Sequence, residues 1–340
     1  MMKSSNKASE EAKLAWTMPS HSQFSCKRVQ SRTCSGYAER SRKSQSKTSV
    51  GNKRLAAIVL NFNSCADTRK CVAFLQRQQG VELEIFLVDN CSRQEDAAAV
   101  ERLAAEKGCT FIRAEENRGY NAGNNIGLRR AAEKGYEFAL IANPDMEFPD
   151  PHYAARLLAA LRGHGEAAVA ATDIASPDEA HQNPMPPDAK GWGAAFMWLR
   201  ILAKRGGAER NFAQTHFCRK VSGCCLMVRT DFINEIGFFD EQVFLYCEEA
   251  ILARQAEALG RKMLYVADLH AVHRHIKSAK GNAAPRFKAW VASRLYFERR
   301  YNYQGPLLHL AKSAGWKTYA ALMCFKSWLK TSCFSRRVNK

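Results

Sequence analysis

Two adjacent carboxylates, Glu248 and Glu249, end the run Phe244-Leu245-Tyr246-Cys247-Glu248-Glu249, at the start of a helix expected over about 246–260. Acids in a first turn suit the helix dipole, and that alone would account for them. Leu245, Leu252, Ala256 and Leu259 mark one helical face. Glu249 falls on that face, and Glu248 lies about 100° round from it. A carboxylate drawn among apolar side chains has a raised pKa and can act as a general base near neutral pH. The spacing therefore points to Glu249 as base, with Glu248 supporting it or lying near a metal.

Four other clusters carry candidate chemistry. Asn143-Pro144-Asp145 follows an apolar strand. A carboxylate on such a tip, fixed by proline, suits Mg²⁺ or Mn²⁺ bridging phosphate oxygens; the same triplet also makes an ordinary turn. Asp89-Asn90-Cys91-Ser92 offers an acceptor for a base N–H or a ribose hydroxyl, and equally a helix N-cap. Asn117-Arg118-Gly119-Tyr120-Asn121-Ala122-Gly123-Asn124-Asn125-Ile126-Gly127 spaces glycines four apart. Such spacing permits close backbone approach and a helix N-terminus opening towards an anion, or a plain loop with a cap. His270, His273 and His275 follow the last body strand, and either His273 or His275 could reach a metal or diphosphate. Surface or hydrogen-bonded histidines are the alternative, because thiolate partners at CxxC spacing are missing.

The elements that must hold these groups alternate regularly. Strands are expected at 55–62, 83–90, 109–114 and 137–145, with helices at 66–79, 95–107 and 124–135, the last closed by Gly135. This alternation implies an α/β fold with a mostly parallel, doubly wound sheet. Right-handed crossovers then bring the tips Asn61–Asn63, Asp89–Asn90 and Asn143–Asp145 to one edge, where open α/β sheets bind ligands. Residues 176–220 read as a long loop or lid, 221–228 as a strand and 262–268 as the last strand of the body.

Charge is uneven. The chain of 340 residues carries a net +18, of which residues 1–54 hold +9, residues 305–340 hold +7 and the body only +2. A basic stripe over a folded face, the mark of a nucleic-acid binder, is not what this describes. Basic ends suit solvated tails or an anionic membrane surface. The 12 cysteines form no CxxC pair, which suits a reducing, cytoplasmic setting. Neither a secretory core near the start nor an 18-residue apolar run is visible. Residues 1–53 are expected to be a disordered, Ser-rich basic extension. Residues 281–340 are expected to form a basic amphipathic helical tail that either adsorbs to anionic lipid or packs on the body.

In order and spacing, IVLNFN (58–63), LVDNCS (87–92), ENRGYNAGNNIG (116–127), LIANPD (140–145), VSGCCLMVR (221–229), IGFFDEQVFLYCEE (236–249) and VHRHIKS (272–278) resemble family 2 inverting glycosyltransferases of the GT-A fold, particularly the bacterial rhamnosyltransferase-like branch. The resemblance implies a GT-A catalytic domain over 54–280, with a nucleotide-sugar half (54–150) and an acceptor half (151–280). It implies a nucleotide-diphosphate-sugar donor contacted by Asn61, Asn63, Asp89, Asn117, Gly119, Asn124 and Asn143. Asp145 matches the metal-binding Asp, in a motif where Asn143 replaces the first acid, and His273 or His275 matches a histidine near the phosphates. Glu249 matches the catalytic base, with Glu in place of the usual Asp, and Ile251 stands where many relatives have another Asp. The implied activity is hexosyl or rhamnosyl transfer to a cell-envelope glycan (lipopolysaccharide or capsule) or a lipid-linked acceptor, by a cytoplasmic enzyme on the inner membrane face. Two rivals remain: a nucleotidyltransferase, whose usual Gly-rich first turn is replaced here by NFNSCADTRK, and an inactive glycan-binding scaffold of the same fold.

Overall fold

The computed structural model describes residues 53–338, apart from 179, 203–209 and 275–283. The expectation for the N-terminal extension (Lys53 apart) and the candidate His275 lie outside the described residues.

The first strand, β1 (Arg54–Asn61), is buried from Leu55 onward, as expected where both sheet faces are covered. In chain order there follow α1 (Cys65–Gln76), β2 (Glu82–Asp89), α2 (Gln94–Lys107), β3 (Thr110–Arg113), α3 (Tyr120–Glu133), β4 (Phe138–Ala142), β5 (Met146–Glu147), α4 (Tyr153–Gly163) and β6 (Ala167–Ala175). Then come α5 (Gly191–Ala195), α6 (Met197–Leu202), β7 (His216–Cys218), β8 (Cys225–Arg229), α7 (Thr230–Glu235), α8 (Glu248–Ala258), β9 (Lys262–His273), α9 (Ala284–Arg300) and α10 (Pro306–Val338).

Alternate residues of β1 enter different cores. Leu55, Ala57 and Val59 pack with α1, α2 and α4. Ala56, Ile58 and Leu60 pack with Leu128 of α3, Phe232 of α7 and Leu252 of α8. The result is a three-layer α/β domain. The sheet runs β3-β2-β1-β4-β8-β6-β9-β5, with β7 beside β9. It is parallel across β3-β2-β1-β4, while β8 is antiparallel to both β4 and β6. The parallel reading therefore describes the N-terminal half, and the second half is mixed.

Two departures matter for the site. The helix expected from 124 begins at Tyr120 instead, because the glycines let it lie directly on β1. A Cβ at Gly123 would come within 2.6 Å of Leu60, and one at Gly127 within 2.6 Å of Ile58. The C-terminal helices are also part of the body. Phe297 of α9 is buried with Val243 and Ile251. Ser293 Oγ donates to the Leu245 carbonyl (2.8 Å), and Tyr296 and Tyr301 both donate to Asp240 Oδ2 (2.6 and 2.7 Å). Lys312 of α10 is 1% exposed and pairs with Glu298 Oε2 at 3.1 Å. Among the described residues no helix is long and apolar enough to cross a membrane, and the cysteines are free thiols.

Candidate active site

Parallel pairing places Asn61 opposite Asp89 at the carboxyl ends of β1 and β2. Both are fully buried. Asn61 Nδ2 donates to Asp89 Oδ1 (3.0 Å), Ser92 Oγ (3.1 Å) and Asp96 Oδ1 (2.7 Å), while its carbonyl oxygen accepts from Ser64 and Thr68. Asp89 Oδ2 accepts the Ser92 N–H at 3.2 Å. Asn61 and Asp89, expected above to contact a donor, here turn these polar atoms on each other and brace the loops that form the rim. Asn63 is exposed on that rim with φ of +52°, and its Oδ1 accepts the Arg93 N–H at 2.9 Å.

The Gly/Asn segment makes contacts of the same kind. At Gly119 the backbone approached is the protein's own: a Cβ would meet the Phe244 carbonyl oxygen at 2.3 Å, and Tyr120 N–H donates to that oxygen at 2.9 Å. Asn124, in the second turn of α3, is fully buried and donates to the Tyr120 carbonyl (3.0 Å). Asn121 and Asn125 donate to the carbonyls of Asp240 and Phe239. These asparagines therefore dock the 239–244 loop, which leads to the acid pair. Asn117 stays half-buried at the edge, its Oδ1 accepting from Asn90 Nδ2 (3.1 Å) and the Gly119 N–H (3.0 Å).

The Asn143–Asp145 tip and the acid pair are joined by a short relay. Gly223 N–H donates to Glu249 Oε1 at 3.3 Å. The Gly223 carbonyl accepts from Tyr120 Oη at 2.8 Å, and Tyr120 Oη also reaches Asn143 Oδ1 at 2.9 Å. Asn143 N–H donates to the Cys224 carbonyl (2.7 Å). Residues from β4, the 221–224 turn, α3 and α8 therefore meet at one rim. Tyr120 and Gly223 sit inside quoted motifs, but nothing in their local sequence marks them as the joint.

Glu248 and Glu249 open α8, so Leu245 precedes the helix and lies off its apolar face. Tyr246 and Cys247 both have positive φ, +76° and +67°. Left-handed backbone at two successive non-glycine residues costs on the order of 1–3 kcal/mol each and characteristically accompanies functional sites. Tyr246 N–H donates to Glu248 Oε1 at 2.7 Å. Burial, and then the charge of Glu249, push the Glu248 carboxyl up to about 7.

Asp145 Oδ1 lies 3.1 Å from His273 Nε2. The opposite ring nitrogen, Nδ1, faces Gln182 Oε1 at 3.0 Å. Burial pulls His273 down, but its bonds to Asp145 and Cys224 outweigh this and raise it to about 10. Adjacent ligands on an octahedral Mg²⁺ with bonds near 2.1 Å are about 3.0 Å apart, so a cation taking the place of the proton these two atoms share would find them at the spacing of one edge of its shell. No cluster of three or more His, Cys, Asp or Glu suited to a metal occurs among the described residues. A cation here would complete its shell from water and substrate phosphates, as Mg²⁺ commonly does.

Comparison with known proteins agrees with this architecture. The family model described as Glycosyl transferase family 2 matches residues 56–237. The low-salt glycan biosynthesis hexosyltransferase Agl10 of Haloferax volcanii is 26% identical over 196 residues, covering 57% of this chain and 59% of that protein. The O-antigen biosynthesis protein RfbC of Myxococcus xanthus is 20% identical over 245 residues, 71% of this chain and 19% of its own length. The chain therefore spans less than two thirds of either relative. Among solved structures, GalNAc-T7 with UDP, GalNAc and Mn²⁺ superposes with a TM-score of 0.54 at 14% identity, over 80% of this chain and 55% of that one. The mannosyltransferase PcManGT of Pyrobaculum calidifontis, in complex with GDP-Man and Mn²⁺, gives 0.50 at 14% identity, over 84% and 81%.

Proposed function

The chain belongs to glycosyl transferase family 2, and from that premise we propose that it is an inverting hexosyl- or rhamnosyltransferase. It moves a sugar from a nucleotide-diphosphate donor to a hydroxyl of a cell-envelope glycan or lipid-linked acceptor. One observation carries this reading: the relay from Glu249 through Gly223 and Tyr120 to Asn143 ties a half-buried acid pair to the Asp145 tip.

Glu249 accepts the proton of the acceptor hydroxyl. Glu248, with its carboxyl near 7, holds a proton over part of the neutral range and so keeps the pair from carrying two full charges. Gly223 N–H orients the Glu249 carboxylate. The attacking oxygen then approaches the anomeric carbon opposite the diphosphate, and configuration inverts in one displacement. Asn63, Asn117 and Asn143 form the donor rim, with Asn61, Asp89, Gly119 and Asn124 holding it in shape. Asp145 and His273 would hold Mg²⁺ or Mn²⁺, which when bound neutralises charge on the departing diphosphate.

The enzyme works in the cytoplasm, peripherally on the membrane. In support, Leu307 and Leu310 on α10 are 69% and 66% exposed, on a segment whose charged residues are all basic. Pelleting with anionic liposomes tests this, and Leu307→Ser/Leu310→Ser should pellet less than wild type. The transfer reading is tested by incubating the protein with a panel of nucleotide sugars and Mn²⁺. Release of nucleotide diphosphate, lost in Glu249→Gln, supports it; cleavage to a nucleoside monophosphate would favour a nucleotidyltransferase, and no turnover an inactive scaffold.

A further inference from the structure

A second concavity of about 280 Å³ adjoins α8 beyond the acid pair, and the proposed transfer leaves it unused. Its walls come from α8, the β7 end and the 187–190 segment. Ala250, Ala253 and Gly260 line the helix side, so no large side chain fills the space. Lys190, Arg219, Lys220, Arg254, Arg261 and Lys262 surround it against only two acids, Asp188 and Glu257, an excess of four positive charges.

The available pairings leave part of that charge unspent. Lys220 is neutralised by Asp188 at 2.9 Å and Lys262 by Glu166 at 3.1 Å, whereas Lys190 and Arg254 share the single Glu257. Arg261 donates to the Gly165 carbonyl at 3.3 Å and stands 3.7 Å from Asp231, beyond hydrogen-bond reach. Arg219 is exposed and has no hydrogen-bond or ion-pair partner among the described residues. The α8 carboxyl end contributes roughly half a negative charge, too little to cancel Arg219 and the cation that Glu257 leaves over. Guanidinium forks pair with phosphate through two parallel bonds, and a cavity near the low end of ligand-site volumes suits a small anion.

We propose that this groove is a phosphoryl-binding site, taking a phosphate or diphosphate on the acceptor side of Glu249. Asp145 and His273 do not line it, so it is separate from the donor phosphates. Ala250 adjoins Glu249 in sequence, and Lys220 lies three residues before Gly223, whose amide holds that carboxylate. A phosphoryl group seated here would therefore anchor an acceptor beside the base. The acceptor role rests on the transferase reading, whereas the anion site does not.

The test is calorimetric titration of the full-length protein with inorganic pyrophosphate in EDTA, so that no divalent cation supports the donor site. Wild type should bind saturably, more weakly with rising salt. Arg219→Ala/Arg261→Ala should bind at least tenfold more weakly, and Asp145→Asn like wild type. The double variant should retain metal-dependent donor hydrolysis, which shows that it is folded and reports on the transferase reading separately. Absence of saturable binding to wild type would overturn the proposal. So would undiminished binding by the double variant, or binding lost in Asp145→Asn. Farnesyl diphosphate serves as a second probe: tighter binding than pyrophosphate assigns the group to a lipid-linked molecule, and equal binding to a soluble phosphate.

Discussion

Gly119→Ala separates the two demands that the structure makes on this glycine. Its φ of +103° with ψ near 180° is a region almost reserved for glycine, which costs another residue on the order of 1–3 kcal/mol. The new Cβ would also sit 2.3 Å from the Phe244 carbonyl oxygen and 2.7 Å from its Cα, so backbone must move. Overpacking of this kind costs about 1–3 kcal/mol, and the strained Tyr120–Phe244 hydrogen bond about 1 kcal/mol more. The total is roughly 3–7 kcal/mol. Gly135→Ala is the internal control, because its φ is +73° but nothing lies within 4 Å of the added Cβ; it should cost only about 1–2 kcal/mol. Restoring ordinary contact of at least 3.4 Å at position 119 shifts Phe244 by about 1 Å, four residues ahead of Glu248. Misplacement by that much can cost about 10²-fold in rate. Urea unfolding midpoints and donor turnover of both variants provide the measurement. Equal destabilisation by the two substitutions, or full turnover in Gly119→Ala, would refute the argument that the glycine exists for the close approach.

The transfer rate should change with an apparent pKa near 7, where Glu248 loses its proton and a second charge appears beside Glu249. Glu248→Gln removes that ionisation and should abolish the change; a step persisting near 7 would exclude Glu248 as its source. The same shift bears on stability. The folded-state pKa of Glu248 lies above its ordinary 4.5, so its protonation favours the fold below that value, and the contribution is lost as pH rises through about 7. Glu248→Gln should therefore gain stability relative to wild type most clearly above pH 7, as thermal melts at pH 5 and pH 8 would record. Lys312→Met strips Glu298 of one of its two buried cationic partners, the other being Arg294 at 2.8 Å, and should cost about 3–5 kcal/mol. A loss under 1 kcal/mol would show that α10 is not anchored through this network. Asp145→Asn should reduce Mn²⁺-dependent donor hydrolysis and leave little for EDTA to remove; metal-independent turnover at the wild-type rate would eliminate the cation site.

What could be read in the sequence followed the strength of local pattern. Continuous apolar runs in β1, β2 and β4, each ending in polar residues, fixed both the strands and the rim they share. β6 escaped because five of its nine residues are alanine, a weak strand former that belongs here only because α4 and the neighbouring strands close over it. The early start of α3 was hidden for a related reason. Glycine and asparagine disfavour helix interiors, and only packing on Leu60 and Ile58 makes them correct there. Motif spacing drew attention to Asn61, Asp89 and Asn124, yet carries no sign of the hydrogen bonds by which they brace the loops. Gln182, which faces His273, has no local signal at all. It arrives through the bridge between Ala175 and His181, beside a register shift at Thr172/Asp173 where β6 pairs β9.

In the proposed mechanism Glu249 takes a proton in the same cleft that holds the donor at Asp145. Single-turnover transfer by Glu249→Gln, with donor affinity measured calorimetrically on the same preparation in Mn²⁺, addresses both halves. The expected result is a rate lower by about 10²–10⁴-fold with donor affinity within about threefold of wild type. A rate within tenfold of wild type, or affinity lost in parallel with rate, would contradict it.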